Sequence, residues 1–161
     1  MVTFGTAMFE IILYQPEIPP NTGNIIRLCA VTGNRLHLIR PLGFQLSDKQ
    51  LKRAGLDYHH WTDIACHNDL QSCLTTTIKK KVFCLTTKGS TCYTTPNFEP
   101  GDAFLFGPET RGLPVEVLNQ FPQSQWLRLP QQPHARSLNL ANCVSVMIYE
   151  AWRQNGFALE T

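Results

Sequence analysis

Three short segments combine glycine with polar or charged side chains, and they carry most of the chemistry available to this sequence. They are NTGNIIR at 21–27, LFGPETRGLP at 105–114 and HARSLNLAN at 134–142. Each lies at the end of a predicted strand or the start of a predicted helix, where open α/β sheets bind ligands. Glycine lets a backbone approach a ligand closely, and polar side chains orient it. Together the segments predict one ligand site assembled from distant parts of the chain.

The first segment places a cation near the start of a helix. Asn21 is predicted to cap this helix, and Gly23, Asn24 and Arg27 share the side opposite its apolar stripe. Arg27 therefore points outward beside a helix N-terminus, where it can meet an anion or a ribose oxygen. The alternative is a capped helix with a solvated arginine.

The second and third segments surround the remaining polar candidates. Gly107 and Gly112 allow close backbone approach, and Glu109 can pair with Arg111 or with a charged end of a ligand. A constrained ten-residue loop is costly as a mere connection, which favours a binding role. Ser137 and Asn139 precede the last predicted helix, and Asn139 is alternatively its N-cap.

Several common enzyme signatures are absent from the sequence. It contains no GxG, no GxxxxGK[ST], no GxSxG and no HExxH. These absences argue against a dinucleotide fold, the usual Rossmann methyltransferase, a phosphate-loop enzyme, a serine hydrolase and a zinc protease.

Composition describes one folded domain, 1–161, with residues 1–7 as extra N-terminal residues. Hydrophobic residues make up 43% and charged residues 16%, and the net charge of +2 confines any nucleic-acid contact to a local patch. No apolar run reaches the ~18 residues of a membrane span, and no secretory signal precedes Met8. We therefore expect a cytoplasmic protein.

The six cysteines form neither a CxxC pair nor a regular framework. Cys66 and His67 with Cys73 come nearest to a metal-binding pattern, without the usual paired spacing. We expect buried free thiols and no bound metal.

Hydrophobic patterning predicts an α/β fold whose mainly parallel sheet carries helices on both faces. The predicted strands are 8–14, 35–40, 81–87, 102–107 and 126–130, and the predicted helices are 21–33, 47–55, 69–74, 114–121 and 140–153. In the last helix apolar residues spread over about half the circumference, more than one sheet needs to cover. This excess predicts a second buried contact, with another subunit.

The three segments, in this order, resemble the motifs of the SPOUT methyltransferases, and most closely the TrmL-type tRNA enzymes that methylate the ribose of the wobble nucleotide. The matching stretches cover 9–156, and LFGPETRG with a downstream SLNLAN is the most specific signal. They read YQPEIPPNTGNIIRLC, KRAGLDYH, LTTKG, LFGPETRGLP, RSLNLAN and IYEAWRQ.

The resemblance implies a deep trefoil knot in the C-terminal third and S-adenosylmethionine (AdoMet) held by the knot loops, with S-adenosylhomocysteine as product and no metal. The cofactor-binding residues it implies are Leu85, Thr86, Thr87, Gly107, Glu109, Gly112, Leu129, Pro130, Ser137 and Leu138. The substrate implied is cytidine or modified uridine at the wobble position of tRNA, in leucine tRNAs.

The resemblance also implies a catalytic group around Arg27, which would stabilise the 2′-oxygen as its proton leaves. An arginine is a poor base because its pKa lies above ~12. Asn21, Glu109, Ser137 and Asn139 would orient the network.

RNA contact is assigned to Arg27 and to the basic helical face of Lys49, Lys52 and Arg53, with 79–81 as a weaker candidate. A homodimer would bind the anticodon stem-loop. Neither a membrane nor another protein is expected as a partner. A ribosomal RNA target and a catalytically inactive RNA-binding protein remain the alternatives.

Overall fold

The structure, a computed structural model, describes residues 8–47, 49 and 64–159. The predicted helix at 47–55 falls largely outside these residues, as do the side chains of Lys52 and Arg53. Lys49 lies within the described residues, and it is exposed.

The described residues form a seven-stranded sheet in the order β3-β2-β1-β6-β4-β7-β5. Every pairing in it is parallel. The central strands read as continuous apolar runs because both of their faces are buried. The strands are β1 (Glu10–Tyr14), β2 (Arg35–Ile39), β3 (Ile64–His67), β4 (Val82–Leu85), β5 (Thr91–Cys92), β6 (Ala103–Phe106) and β7 (Trp126–Arg128).

Helices cover both faces of the sheet, which confirms the predicted α/β class. One face packs against α1 (Pro19–Thr32) and α4 (Leu140–Gln154). The other packs against α2 (Leu70–Thr77) and α3 (Val115–Leu118), and a 3-10 turn, Gln123–Gln125, precedes β7. In the part of the chain described, no helix has the length and hydrophobicity needed to cross a membrane.

The helix ends differ from prediction in two places. The N-cap of α1 is Ile18 rather than Asn21, because two prolines occupy its first turn, where the absent N–H costs nothing. Asn21 lies inside the helix, so its side chain is available for other contacts. Pro114 precedes α3 as its N-cap instead of forming its first residue. Gly33 ends α1 in the left-handed conformation, as expected.

Strands β3 and β5 were not predicted. β3 is half-buried along its length and reads IACH, while β5 has only two residues, so neither shows a clear apolar pattern. β3 forms one edge of the sheet and pairs with β2.

All six cysteines are free thiols, but only three are buried: Cys29, Cys73 and Cys84. Burial raises the pKa of Cys84 to about 12, so this thiol remains protonated. Cys66, Cys92 and Cys143 are only partly buried, which corrects the prediction for those three.

Candidate active site

A pocket of about 340 Å³ opens at the carboxyl ends of β4, β6 and β7. The loops that follow these strands form most of its wall, and the start of α4 completes it. The lining consists of residues 85–88 and 106–113, with Arg128, Leu129, Gln131, Ser137, Leu138, Leu140 and Cys143.

The predicted cofactor-binding residues come together here with one exception. Leu85, Thr86, Thr87, Gly107, Glu109, Gly112, Leu129, Ser137 and Leu138 all line the pocket, whereas Pro130 does not. Sequence reasoning missed six lining residues, although each lies close in sequence to a predicted position: Lys88, Leu113, Arg128, Gln131, Leu140 and Cys143. Burial raises the pKa of the Cys143 thiol, which makes it a poor nucleophile.

Two glycines shape the pocket loop in different ways. A Cβ added at Gly107 would lie 2.2 Å from the backbone nitrogen of Leu113, because the loop doubles back on itself there. Gly112 has a φ of +66°, and a Cβ there would meet nothing within 4 Å. Glycine is therefore needed at 107 because the backbone of the same loop passes too close for a side chain, and at 112 because the backbone is left-handed there.

Glu109 joins the pocket loop to the start of α1. Its Oε1 accepts a hydrogen bond from the Glu17 backbone N–H at 2.9 Å, and its Oε2 accepts from the Ile18 N–H at 2.5 Å. Asn21 Nδ2 donates to the same Oε2 at 3.3 Å. A carboxylate at this helix N-terminus is electrostatically favourable.

Asn21 also connects to the third segment. Asn139 Nδ2 donates to Asn21 Oδ1 at 3.0 Å, and Asn139 Oδ1 accepts from the Ala141 N–H at 2.9 Å. Asn139 is thus both the N-cap of α4 and a member of a Glu109–Asn21–Asn139 chain. Ser137 is exposed in the pocket wall and makes no hydrogen bond within the described part of the chain.

A second set of contacts, not predicted from sequence, fastens the same loop. Glu17 Oε1 accepts hydrogen bonds from the Thr110 hydroxyl at 2.7 Å and the Thr110 N–H at 3.1 Å. Both bonds lower the pKa of the Glu17 carboxyl, and the bond from the Thr110 hydroxyl has the larger effect. Arg111 donates to the Gln15 side chain at 2.9 Å rather than pairing with Glu109. Residues before α1 thereby hold the pocket loop in place.

Arg27 is exposed on α1, a turn and a half beyond Asn21, and does not line the pocket. Asn24 is exposed with it, but Gly23 is buried, so the predicted side of this helix holds for only two of its three residues. Of the basic turn, Lys80 pairs with Glu99 at 3.5 Å.

Comparison with known proteins identifies the class that this fold and pocket define. The model of the SpoU rRNA Methylase family matches residues 8–149. The chain therefore belongs to the SpoU methylase family, which confirms the resemblance seen in its sequence.

Individual relatives are more specific. A tRNA (cytidine(34)-2′-O)-methyltransferase from Methylovorus glucosotrophus is 59% identical over 151 residues, 94% of this chain and 98% of the relative. A solved structure described as giving insights into the 2-OH methylation of C/U34 on tRNA is 46% identical, covers 96% of this chain and 100% of its own, and superposes with a TM-score of 0.88. An AdoMet-bound rRNA methyltransferase from Sinorhizobium meliloti shares the fold at 24% identity and a TM-score of 0.78, covering 99% of this chain and 60% of its own.

Proposed function

We propose that this chain is an AdoMet-dependent methyltransferase that methylates the ribose 2′-OH of the wobble nucleotide of tRNA, cytidine or modified uridine. The observation that carries the proposal is near-complete coverage at 59% identity by a relative with that name. From the resemblance of the sequence motifs to the TrmL-type enzymes, we expect leucine tRNAs as substrates and a cytoplasmic enzyme.

The pocket suits AdoMet in size and lining. Its volume of about 340 Å³ falls within the range of small-molecule sites. Leu85, Leu129 and Leu138 offer apolar surface, and the glycine-containing loop at 106–113 exposes backbone groups that can bond to an adenine. We assign cofactor binding to the predicted residues, with Pro130 as a less direct contributor.

AdoMet supplies a methyl group already activated on a sulfonium, so the protein's task is to position the 2′-oxygen and manage its proton. Arg27 stabilises the negative charge that develops on this oxygen and contacts the adjacent phosphate. Asn21, Glu109 and Asn139 act as positioning residues, because their hydrogen bonds tie α1, which carries Arg27, to the pocket loop. Ser137 contacts the substrate from the pocket wall, and the proton leaves to a neighbouring group or water.

A trefoil knot in a single domain is consistent with how the pocket loops pass one another. β7 lies between β4 and β5 in the sheet, although β5 follows β4 in sequence. A Cβ at Gly89, in the loop between these two strands, would lie 2.6 Å from the Trp126 carbonyl oxygen. Such close passage of backbone under backbone supports a threaded arrangement.

A homodimer is expected to form through α1 and α4. Val31, Val146 and Tyr149 are exposed on these helices by 56%, 38% and 42%, beyond the apolar stripe that packs on the sheet. Covering them by a second copy removes apolar surface from water. Analytical ultracentrifugation at micromolar concentration should give a dimer, and replacing Val146 with Glu should shift it toward monomer. A native protein that sediments only as monomer would contradict this.

A dimer also extends the surface available to RNA. We propose that Lys49, Lys52 and Arg53, together with Arg27, contact the anticodon stem-loop, and that two subunits span it.

The activity is tested by transfer of labelled methyl from AdoMet to purified tRNA and to ribosomal RNA, in buffer containing EDTA. We expect label in tRNA, and mapping of 2′-O-methylated nucleotides should place it at position 34. Calorimetry should show AdoMet binding in the absence of RNA and metal. Label confined to rRNA would favour the rRNA alternative. Cofactor binding without transfer to either RNA would favour a catalytically inactive protein, and loss of AdoMet binding in EDTA would overturn the metal-free assignment.

A further inference from the structure

We propose that His37, His67 and Cys73 form a binding site for a divalent transition-metal ion, with Zn²⁺ the best match to the donors. The three side chains come from three elements: His37 from β2, His67 from the last position of β3, and Cys73 from α2. None of them lines the pocket. The site is therefore independent of the methyl-transfer site.

The three donor atoms are already close to a coordination geometry. The ring nitrogens and the Cys73 sulfur all lie within 4.8 Å of one another, and His37 Nδ1 is 3.0 Å from His67 Nε2. Zinc–nitrogen bonds of about 2.0–2.1 Å and zinc–sulfur bonds of about 2.3 Å place tetrahedral donors roughly 3.3–3.6 Å apart. Adjustments of about an ångström would bring all three to one ion. Two imidazoles and a thiolate suit zinc better than magnesium or calcium.

Glu10 on β1 orients the central ligand. Its Oε2 lies 2.6 Å from Nε2 of the fully buried His37. With the proton on Nε2 donated to this carboxylate, the Nδ1 lone pair of His37 faces His67. A carboxylate behind a metal-bound histidine is the usual way in which proteins fix the tautomer of that ligand.

Two facing imidazole nitrogens need either a proton or a cation between them. Without metal, His67 Nε2–H donates to His37 Nδ1. When the ion binds, it takes the place of that proton: His67 carries its hydrogen on Nδ1 instead, and the Cys73 thiol releases its proton to solvent. The ion remains divalent throughout.

The burial of the three residues indicates the route by which an ion would enter the site. His37 and Cys73 are fully buried, whereas His67 is half-buried on the edge strand and provides the approach. Three protein donors leave one position for water. An ion bound there would cross-link the edge strand β3 and the helix α2 to β2, and so stabilise this end of the sheet.

Titration of the folded, metal-free full chain with Co²⁺ tests the site by spectroscopy. We expect about one Co²⁺ per chain, tetrahedral d–d absorption and a thiolate-to-cobalt charge-transfer band, all displaced by Zn²⁺. Cys73→Ser should abolish the thiolate band, and His67→Gln should weaken binding. Glu10→Gln should lower affinity by roughly 10- to 100-fold while keeping the band.

Cys66→Ser is the matched control, since Cys66 precedes His67 on the same strand and packs against the opposite face of the sheet. It should keep both the band and the stoichiometry. Absence of a thiolate band in the native protein, its persistence in Cys73→Ser, or its loss in Cys66→Ser would each overturn the proposal. Methyl transfer in EDTA is expected to proceed, so this result stands apart from the enzymatic one.

Discussion

Arg27→Ala is expected to lower the single-turnover rate of methyl transfer by roughly 10²-fold or more. The side chain is proposed to stabilise negative charge on the 2′-oxygen, and that charge develops only as the reaction proceeds. AdoMet affinity should remain near the native value, because Arg27 does not line the pocket. Alanine favours a helix at least as well as arginine does, so α1 should persist.

Two further variants separate geometry from charge. Arg27→Lys should restore little activity, because a compact ammonium cannot contact an oxygen and a phosphate together as a planar guanidinium does. Lys80→Ala also removes one positive charge, just before β4 at the amino-terminal ends of the strands, whereas the pocket lies at their carboxyl ends. Because Lys80 pairs with Glu99 there, this variant should leave transfer almost unchanged. If Arg27→Ala transferred methyl groups at a near-native rate, Arg27 would have no part in the reaction.

The sequence predicted the central fold well because burial leaves a clear pattern in it. β6 is apolar throughout, and β1 is apolar after Glu10. The two strands pair with each other, and α4 carries a broad apolar surface. β3 was missed because its half-buried residues lack that pattern. The start of α1 was misplaced because Asn21, a typical capping residue, instead bonds to Glu109 from within the helix.

The pocket was predictable to the extent that backbone requirements select residue types. Glycine and proline mark the loop at 106–113, and family resemblance supplied the leucines and threonines beside it. The contacts of Gln15 and Glu17 with that loop join positions more than 90 residues apart, and nothing local in their proline-rich segment indicates them. The sequence drew attention to His67 and Cys73 but not to His37, for the same reason: His37 lies 30 residues from His67 in sequence.

Gly107→Ala is expected to reduce AdoMet affinity by about 10- to 10²-fold. Its Cβ would lie 2.2 Å from the Leu113 nitrogen and 2.3 Å from the Gly112 carbonyl carbon. Both atoms are backbone, so the loop itself must move. Forcing extra atoms into a packed site costs about 1–3 kcal/mol, and each 1.4 kcal/mol is about a tenfold change in affinity. Calorimetry with AdoMet measures the loss directly.

Gly112→Ala in the same loop is the matched control. A Cβ there meets nothing within 4 Å, and the cost is the strain of a left-handed φ of +66°, on the order of 1 kcal/mol. We therefore expect Gly112→Ala to lose less AdoMet affinity than Gly107→Ala. Similar thermal midpoints for the two variants would show that the effect of Gly107→Ala is confined to the pocket. Equal affinities for both variants would show that conformational strain, not collision across the doubled-back loop, governs cofactor binding. A Gly107→Ala protein with native affinity would mean that the loop can shift at little energetic cost. The shape of the pocket would then depend on the Glu109 and Glu17 contacts that hold the loop against the start of α1.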